Sequence, residues 1–233
     1  MPSATLDRFI ARHPLQRLTS PSRGVSALVH SLGLASFAYS FRYLVEHPNH
    51  INQAYGWHFQ YLTIIGLTLA TITFTLALLA DFSLSPQLFV GKNVLSMCSV
   101  PMEVLISALY WGLRMIDPAL VVPEELELPL PADLSFHIAP SILLLVDLLF
   151  LSPPWTISVV PAIGLSAVIA FLYWFWIEHC YQYNGFYPYP IFELLDSTQR
   201  VFLFMGSAMV MALNTVVLKW LYGKVNGLGT RLN

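Results

Sequence analysis

Apolar residues along this chain run on without the short alternation of strands. Windows of about 19 largely apolar residues fall near 24–45, 60–80, 94–114, 136–152, 155–178 and 200–221. They predict six helices crossing a bilayer. The fourth window is short, and Pro153-Pro154 cuts it from the fifth, which predicts a tight turn there. The expected fold is all-α: a polytopic integral membrane protein with about six transmembrane helices in one bundle. Its expected parts are a basic N-terminal tail over 1–23, the membrane domain over 24–222 and a short tail over 223–233.

Composition agrees with the pattern. Of 233 residues, 56% are hydrophobic and 10% charged, against about 25% charged in soluble domains. Arg8, Arg12, Arg17 and Arg23 precede an apolar run in which Ser36-Phe37-Ala38 imitates a signal-peptide cleavage site. The run continues through Tyr39, Phe41 and Leu44, so it reads as an uncleaved first span. In the tail, Leu6, Phe9 and Ile10 have the spacing of one interfacial helical turn, with a disordered arm as the alternative. An even span count puts Arg8, Arg12, Arg17, Arg23, Lys92, Lys219, Lys224 and Arg231 on one face, opposite Arg42, Arg114 and Arg200. That bias expects both termini in the cytosol. The net charge of −2 carries no basic patch for nucleic acid. Cys98 and Cys180 fall at different depths and are expected as free thiols.

Ionisable residues inside the spans carry the chemical information: His30, Glu103, His137, Asp147 and Glu178. At mid-membrane a charge costs about 2.5–3.5 kcal/mol on insertion scales, so it stays with a partner or a role. Spans two and four enter from the same face. Thr63 opens the one and His137 the other, at similar depth, and Glu178-His179 end span five in that layer. A hydroxyl with an imidazole suits acyl transfer, because threonine needs a base to attack and histidine titrates near neutrality. A helix N-terminus at His137 would keep the ring neutral, and first-turn amides would serve an oxyanion. Asp147, Glu178 and Glu103 are candidates to orient the ring, with His179 as a further pocket residue. Asp147 lies about 15 Å along a regular helix from His137. Acyl chains are expected along Leu67, Leu69, Ile106 and Leu144.

Plainer readings exist for each. Threonines in apolar helices bond the carbonyl one turn back, and span two holds Thr63, Thr68, Thr71, Thr73 and Thr75. Glu103 and Asp147 serve equally as glue between helices, Asp133 and Ser135 read as helix caps, and His30 and His179 read as structural. The chain has no G-x-S-x-G elbow, H-E-x-x-H or histidine box. No spacing supports a metal site, and no cofactor is expected. A carrier, channel or lipid-binding regulator is the competing class, in which Glu103, Asp147 and His30 would line a polar route.

Several blocks resemble the androgen-induced-gene family of six-span membrane proteins. They are Gln53-Ala54-Tyr55-Gly56, Gln60-Tyr61-Leu62-Thr63, Leu78-Leu79-Ala80-Asp81, Pro101, His137 with Asp147 ten residues on, and His179 leading to Asn184-Gly185-Phe186-Tyr187-Pro188-Tyr189-Pro190. The resemblance implies a threonine hydrolase cleaving fatty acid esters of hydroxy fatty acids, with Thr63 as nucleophile and His137 as the essential histidine. It implies a lipid substrate and an endoplasmic reticulum or plasma membrane location. The chain departs in having Glu178-His179 where close animal members carry a His-His pair, and in its acidic, proline-rich loop over 117–133.

Overall fold

The computed structural model describes residues 21–123, 126–155 and 157–226. The expectations for the basic tail fall almost wholly outside the described residues, as do those for 227–233. Each apolar window is a helix: α1 (Pro21–Glu46), α2 (Leu62–Ser83), α3 (Pro86–Ile116), the pair α4 (Leu130–His137) and α5 (Ala139–Val146), α6 (Val159–Asn184) and α8 (Ser197–Val225), with a single turn, α7 (Ile191–Leu194), before the last. Five are long and apolar enough to cross a membrane, and the α4–α5 pair, bent by 43°, makes a sixth. No strand occurs among the described residues.

Polar and small residues set the packing, because hydrocarbon gives no drive for one apolar helix to prefer another over lipid. On α1 the buried positions are Ser26, His30, Gly33, Phe37, Ser40 and Leu44. Their alternating spacing of four and three keeps one seam facing a partner helix. Gly33 is required there, since a Cβ would lie 2.3 Å from the Phe74 ring of α2. The α2–α3 turn follows from its own residues: Leu84 takes the left-handed conformation, Ser85 caps α3 and Pro86 opens it. In α8, Asp196 and Gln199 form a reciprocal cap.

The bent span departs from the expected regular helix. Ile138 leaves the helical region, at φ −125° and ψ −49°, two residues before Pro140, whose ring cannot donate to the carbonyl four residues back. The Ser107 hydroxyl donates to the His137 carbonyl at the break, as a non-helical stretch at membrane depth requires. His137 is therefore the last residue of α4, not the first turn of a span, and the dipole argument for its neutrality does not apply. Asp133 and Ser135 are not caps. Asp133 bonds His137, while Ser135 donates to Ala132 and accepts from Ser40.

At the face where α1 begins, His30, Asp81, Lys92 and Asp147 meet in one buried cluster. His30 Nδ1 lies 2.7 Å from Asp81 and Nε2 2.9 Å from Asp147, which also accepts from Lys92 at 2.7 Å. Lys92, 1% exposed, is thus an internal counter-ion rather than a loop charge. Tyr222 of α8 and Asn226, which follows it, bond carbonyls of 152 and 149 in the same layer, so α1 starts and α8 ends on one face. Cys98 and Cys180 are unpaired thiols.

Candidate active site

The other face is built around the start of α2. Gly56 takes φ +85°, and a Cβ there would stand 2.8 Å from Cys180 Sγ, so only glycine lets this loop lie on α6. Asn184 accepts from the Tyr55 amide and donates to its carbonyl. Trp176 donates to the Phe59 carbonyl, and the Tyr173 hydroxyl donates to Gln60 O at 2.9 Å while accepting from the Leu62 amide at 3.2 Å. The 53–63 blocks and the 179–190 block, far apart in sequence, thereby hold one another. His58 is buried in this layer, and desolvation pushes its pKa down to about 4, so it stays neutral.

Thr63 behaves unlike the other threonines of its helix. Thr68, Thr71, Thr73 and Thr75 each donate to the carbonyl four residues back, at 2.7–2.8 Å. Among the described residues, the Thr63 hydroxyl meets only the Tyr189 hydroxyl, at 3.4 Å. Thr63 borders two cavities. One, of about 880 Å³ with its open mouth, lies between α2, α3, α6 and α8, with walls such as Ile106, Leu109, Ile169, Phe204 and Met211. The second, of about 610 Å³, is lined by Thr63, His137, His58 and Tyr110 together with the loop residues Val121, Val122, Pro123, Leu126 and Leu128. Thr63, Tyr110, Val121 and Tyr189 border both. A third, at the loop surface, shares Ile51, Tyr61, Pro123 and Leu126 with the second and reaches His50 and Glu193. An apolar chamber thus runs through the Thr63–His137 layer toward polar loops.

His137 is fixed on three sides. Its Nδ1 lies 2.8 Å from Asp133 Oδ1, so Nδ1 carries a proton donated to the carboxylate and Nε2 is left as acceptor. Its ring stacks on Tyr110 with centroids 3.5 Å apart and planes within 4°. Arg114 donates to the Tyr110 hydroxyl at 2.9 Å and lies 3.6 Å from the second Asp133 oxygen. This clamp is made of two i, i+4 pairs, 133/137 and 110/114. That spacing was the available signal for Asp133, Tyr110 and Arg114.

The remaining candidates lie elsewhere, and none bonds His137. Asp147 belongs to the cluster on the opposite face. Glu178 accepts from Tyr187 at 3.0 Å and pairs with Arg200. His179 sits against Tyr55 at 3.3 Å. Glu103 is fully buried with neither carboxyl oxygen bonded, its side chain lying against Gly66. Of the four expected chain-lining residues, Ile106 borders the large cavity, whereas Leu67 and Leu144 are sealed in the core under α1 and Leu69 packs outside the cavity wall. No three of His, Cys, Asp or Glu gather into a metal-binding group among the described residues.

The profile of the FAR-17a/AIG1-like proteins matches residues 25–223, the whole helical bundle apart from its ends. The chain belongs to the FAR-17a/AIG1-like family. It is 33% identical over 206 residues to a UPF0641 membrane protein of Schizosaccharomyces pombe, covering 87% of this chain and 92% of that one. It is 23% identical over 197 residues to the androgen-induced gene 1 protein of Homo sapiens, covering 76% and 78%. No solved structure matches. The matched FAR-17a/AIG1-like segment spans both the Thr63–His137 layer and the buried cluster on the other face.

Proposed function

We propose that this family member is a membrane-embedded hydrolase of fatty-acyl esters, with fatty acid esters of hydroxy fatty acids as the substrate class. One observation carries the reading: Thr63, in the first turn of α2, alone of the five threonines does not donate to the carbonyl four residues back; its hydroxyl meets Tyr189, and the residue lines a cavity that His137 also lines. Thr63 Oγ1 attacks the ester carbonyl as His137 Nε2 takes its proton. The tetrahedral intermediate expels the alcohol, which receives that proton, and an acyl-threonine remains. Water, deprotonated by the same nitrogen, then releases the fatty acid and restores Thr63. Asp133 positions the ring and stabilises the imidazolium formed in each half-reaction. The apolar chamber holds a hydrocarbon chain, and the loop-side cavity leads the polar product toward the headgroups.

The carrier reading needs Glu103, Asp147 and His30 along one route. Two of these are locked to each other and to Lys92, and Glu103 lies apart among packed side chains. The excess of basic residues on the face where α1 starts supports placing that face in the cytosol, with the ester site in the opposite leaflet of the endoplasmic reticulum or plasma membrane. The test is turnover of a fatty acid ester of a hydroxy fatty acid by purified protein in lipid nanodiscs. Thr63→Ala and His137→Ala are each expected to abolish it with the thermal midpoint retained. Full turnover in either variant removes the mechanism.

A further inference from the structure

Every group at the start of α2 has a task in this scheme except the tyrosine that touches the nucleophile. Tyr189 reaches Thr63 from the loop before α7. Prolines on both sides restrict its backbone; its ring meets Tyr61 edge-on at 5.4 Å and Phe192 at 5.7 Å. Its hydroxyl faces Thr63 Oγ1, the first-turn amides of Leu62 and Thr63, and the Tyr173 hydroxyl. The Leu62 amide is already given to Tyr173, which spends its own proton on Gln60 O. What remains beside the nucleophile is the Tyr189 O–H, with the Thr63 amide turned toward the same phenol oxygen, in a helix turn that lacks carbonyl partners. Tyr189 also borders both cavities, so a carbonyl placed on Thr63 has this hydroxyl at its edge.

We propose that Tyr189 is a catalytic residue: its hydroxyl, with the Thr63 amide, donates to the oxyanion formed when Thr63 attacks the ester. The proposal rests on the reading of Thr63 as nucleophile. As the Oγ1–carbon bond forms, the carbonyl π pair moves onto oxygen, and that oxygen accepts from the phenol and the amide. When the pair returns, the C–O bond to the alcohol breaks and His137 supplies the alcohol's proton. Tyr189 keeps its own proton throughout, so it stabilises charge without acting as acid or base. Donors preset at that point strengthen their bond as charge develops, and losing one lowers kcat about 10²–10³-fold in comparable sites. The site thereby resembles a hydrolase whose oxyanion hole is half side chain and half the nucleophile's own amide.

The deciding experiment compares wild type, Tyr189→Phe and Thr63→Ala in nanodiscs by ester turnover and by binding of two fatty-chain probes. One probe is a trifluoromethyl ketone, which adds a threonine hydroxyl to give an oxyanion; the other is the corresponding secondary alcohol, which cannot. Tyr189→Phe keeps the ring contacts. It is expected to lower kcat at least about 10²-fold with KM nearly unchanged, and to weaken the ketone by a similar factor while the alcohol binds as before. If Thr63→Ala is inactive but Tyr189→Phe retains wild-type kcat and ketone affinity, Tyr189 has no such role and the nucleophile stands. If Thr63→Ala remains active, the nucleophile itself is wrong and the proposal falls with it. Should Tyr189→Phe lose its fold, Tyr189→3-fluorotyrosine keeps the packing with a more acidic phenol. Tighter ketone binding with unchanged alcohol binding then supports the donor, and unchanged ketone binding overturns it.

Discussion

At the level of single residues, the site turns on which polar groups are spoken for. Thr63 could be picked from the sequence by its place at the start of a span, but not by its hydroxyl, since five threonines share the helix. Only the fold distinguishes the four that satisfy themselves on backbone carbonyls. His137 was equally visible, whereas its partner was not. Asp133 looked like a cap for a helix starting at His137, and the break at Ile138 made it an i, i+4 neighbour instead. Asp133→Asn tests that partnership. The amide can offer Nδ1 a carbonyl, but without the charge that favours the imidazolium, or it can present its NH2 and force the wrong tautomer. We expect kcat to fall about 10²–10⁴-fold with KM and thermal midpoint near wild type, and labelling of Thr63 by a fluorophosphonate to slow in step. A fall in the midpoint with normal labelling of the folded fraction would make Asp133 structural only.

At the level of helices, the spans were legible because each holds an apolar run that only a membrane tolerates. Their ends were less so. α3 begins eight residues before its predicted window, because Ser85 and Pro86 start it and because Lys92 and Asn93 lie within it. A hydropathy window reads Lys92 as loop, since it cannot see that Asp147 waits just past the end of α5. The same network explains why the bent span closes in a wide π turn over Asp147–Leu151 that brings Asp147 beside His30, Lys92 and Ser152. Removing one member of a buried pair strands the other charge, at about 3–5 kcal/mol. Lys92→Met alone should therefore lower the unfolding midpoint sharply in detergent. Lys92→Met with Asp147→Asn should recover a large part of that loss, because no unpaired charge is created. Equal loss in the single and double variants would show that Lys92 acts through packing rather than charge.

For the molecule as a whole, α1–α5 form one body held by the charged cluster, and α6 with α8 close against it through α3. The large cavity is the seam between these two parts, with the ester layer at its loop-side end and Met211 and Ser166 deep in its walls. This arrangement changes how chain selectivity should work. A soluble lipase gains free energy by taking each methylene out of water, about 0.8 kcal/mol apiece. Here the acyl chain arrives from hydrocarbon and enters hydrocarbon, so burial gives little, and discrimination must come from fit. Ala208 on α8 borders the cavity about 7.5 Å along the helix from Leu203, beyond the reacting carbonyl. Ala208→Phe fills that depth and forces overpacking on any chain that reaches it, a cost of about 1–3 kcal/mol. The expected result is a drop of roughly 5–150-fold in kcat/KM for long acyl chains with short-chain esters and Thr63 labelling unaffected, read from a series of chain lengths in nanodiscs. If long and short chains fall together, the variant has disturbed the ester layer instead. If neither falls, the chain lies outside this seam, on the lipid-facing surface, and the cavity is not what selects it.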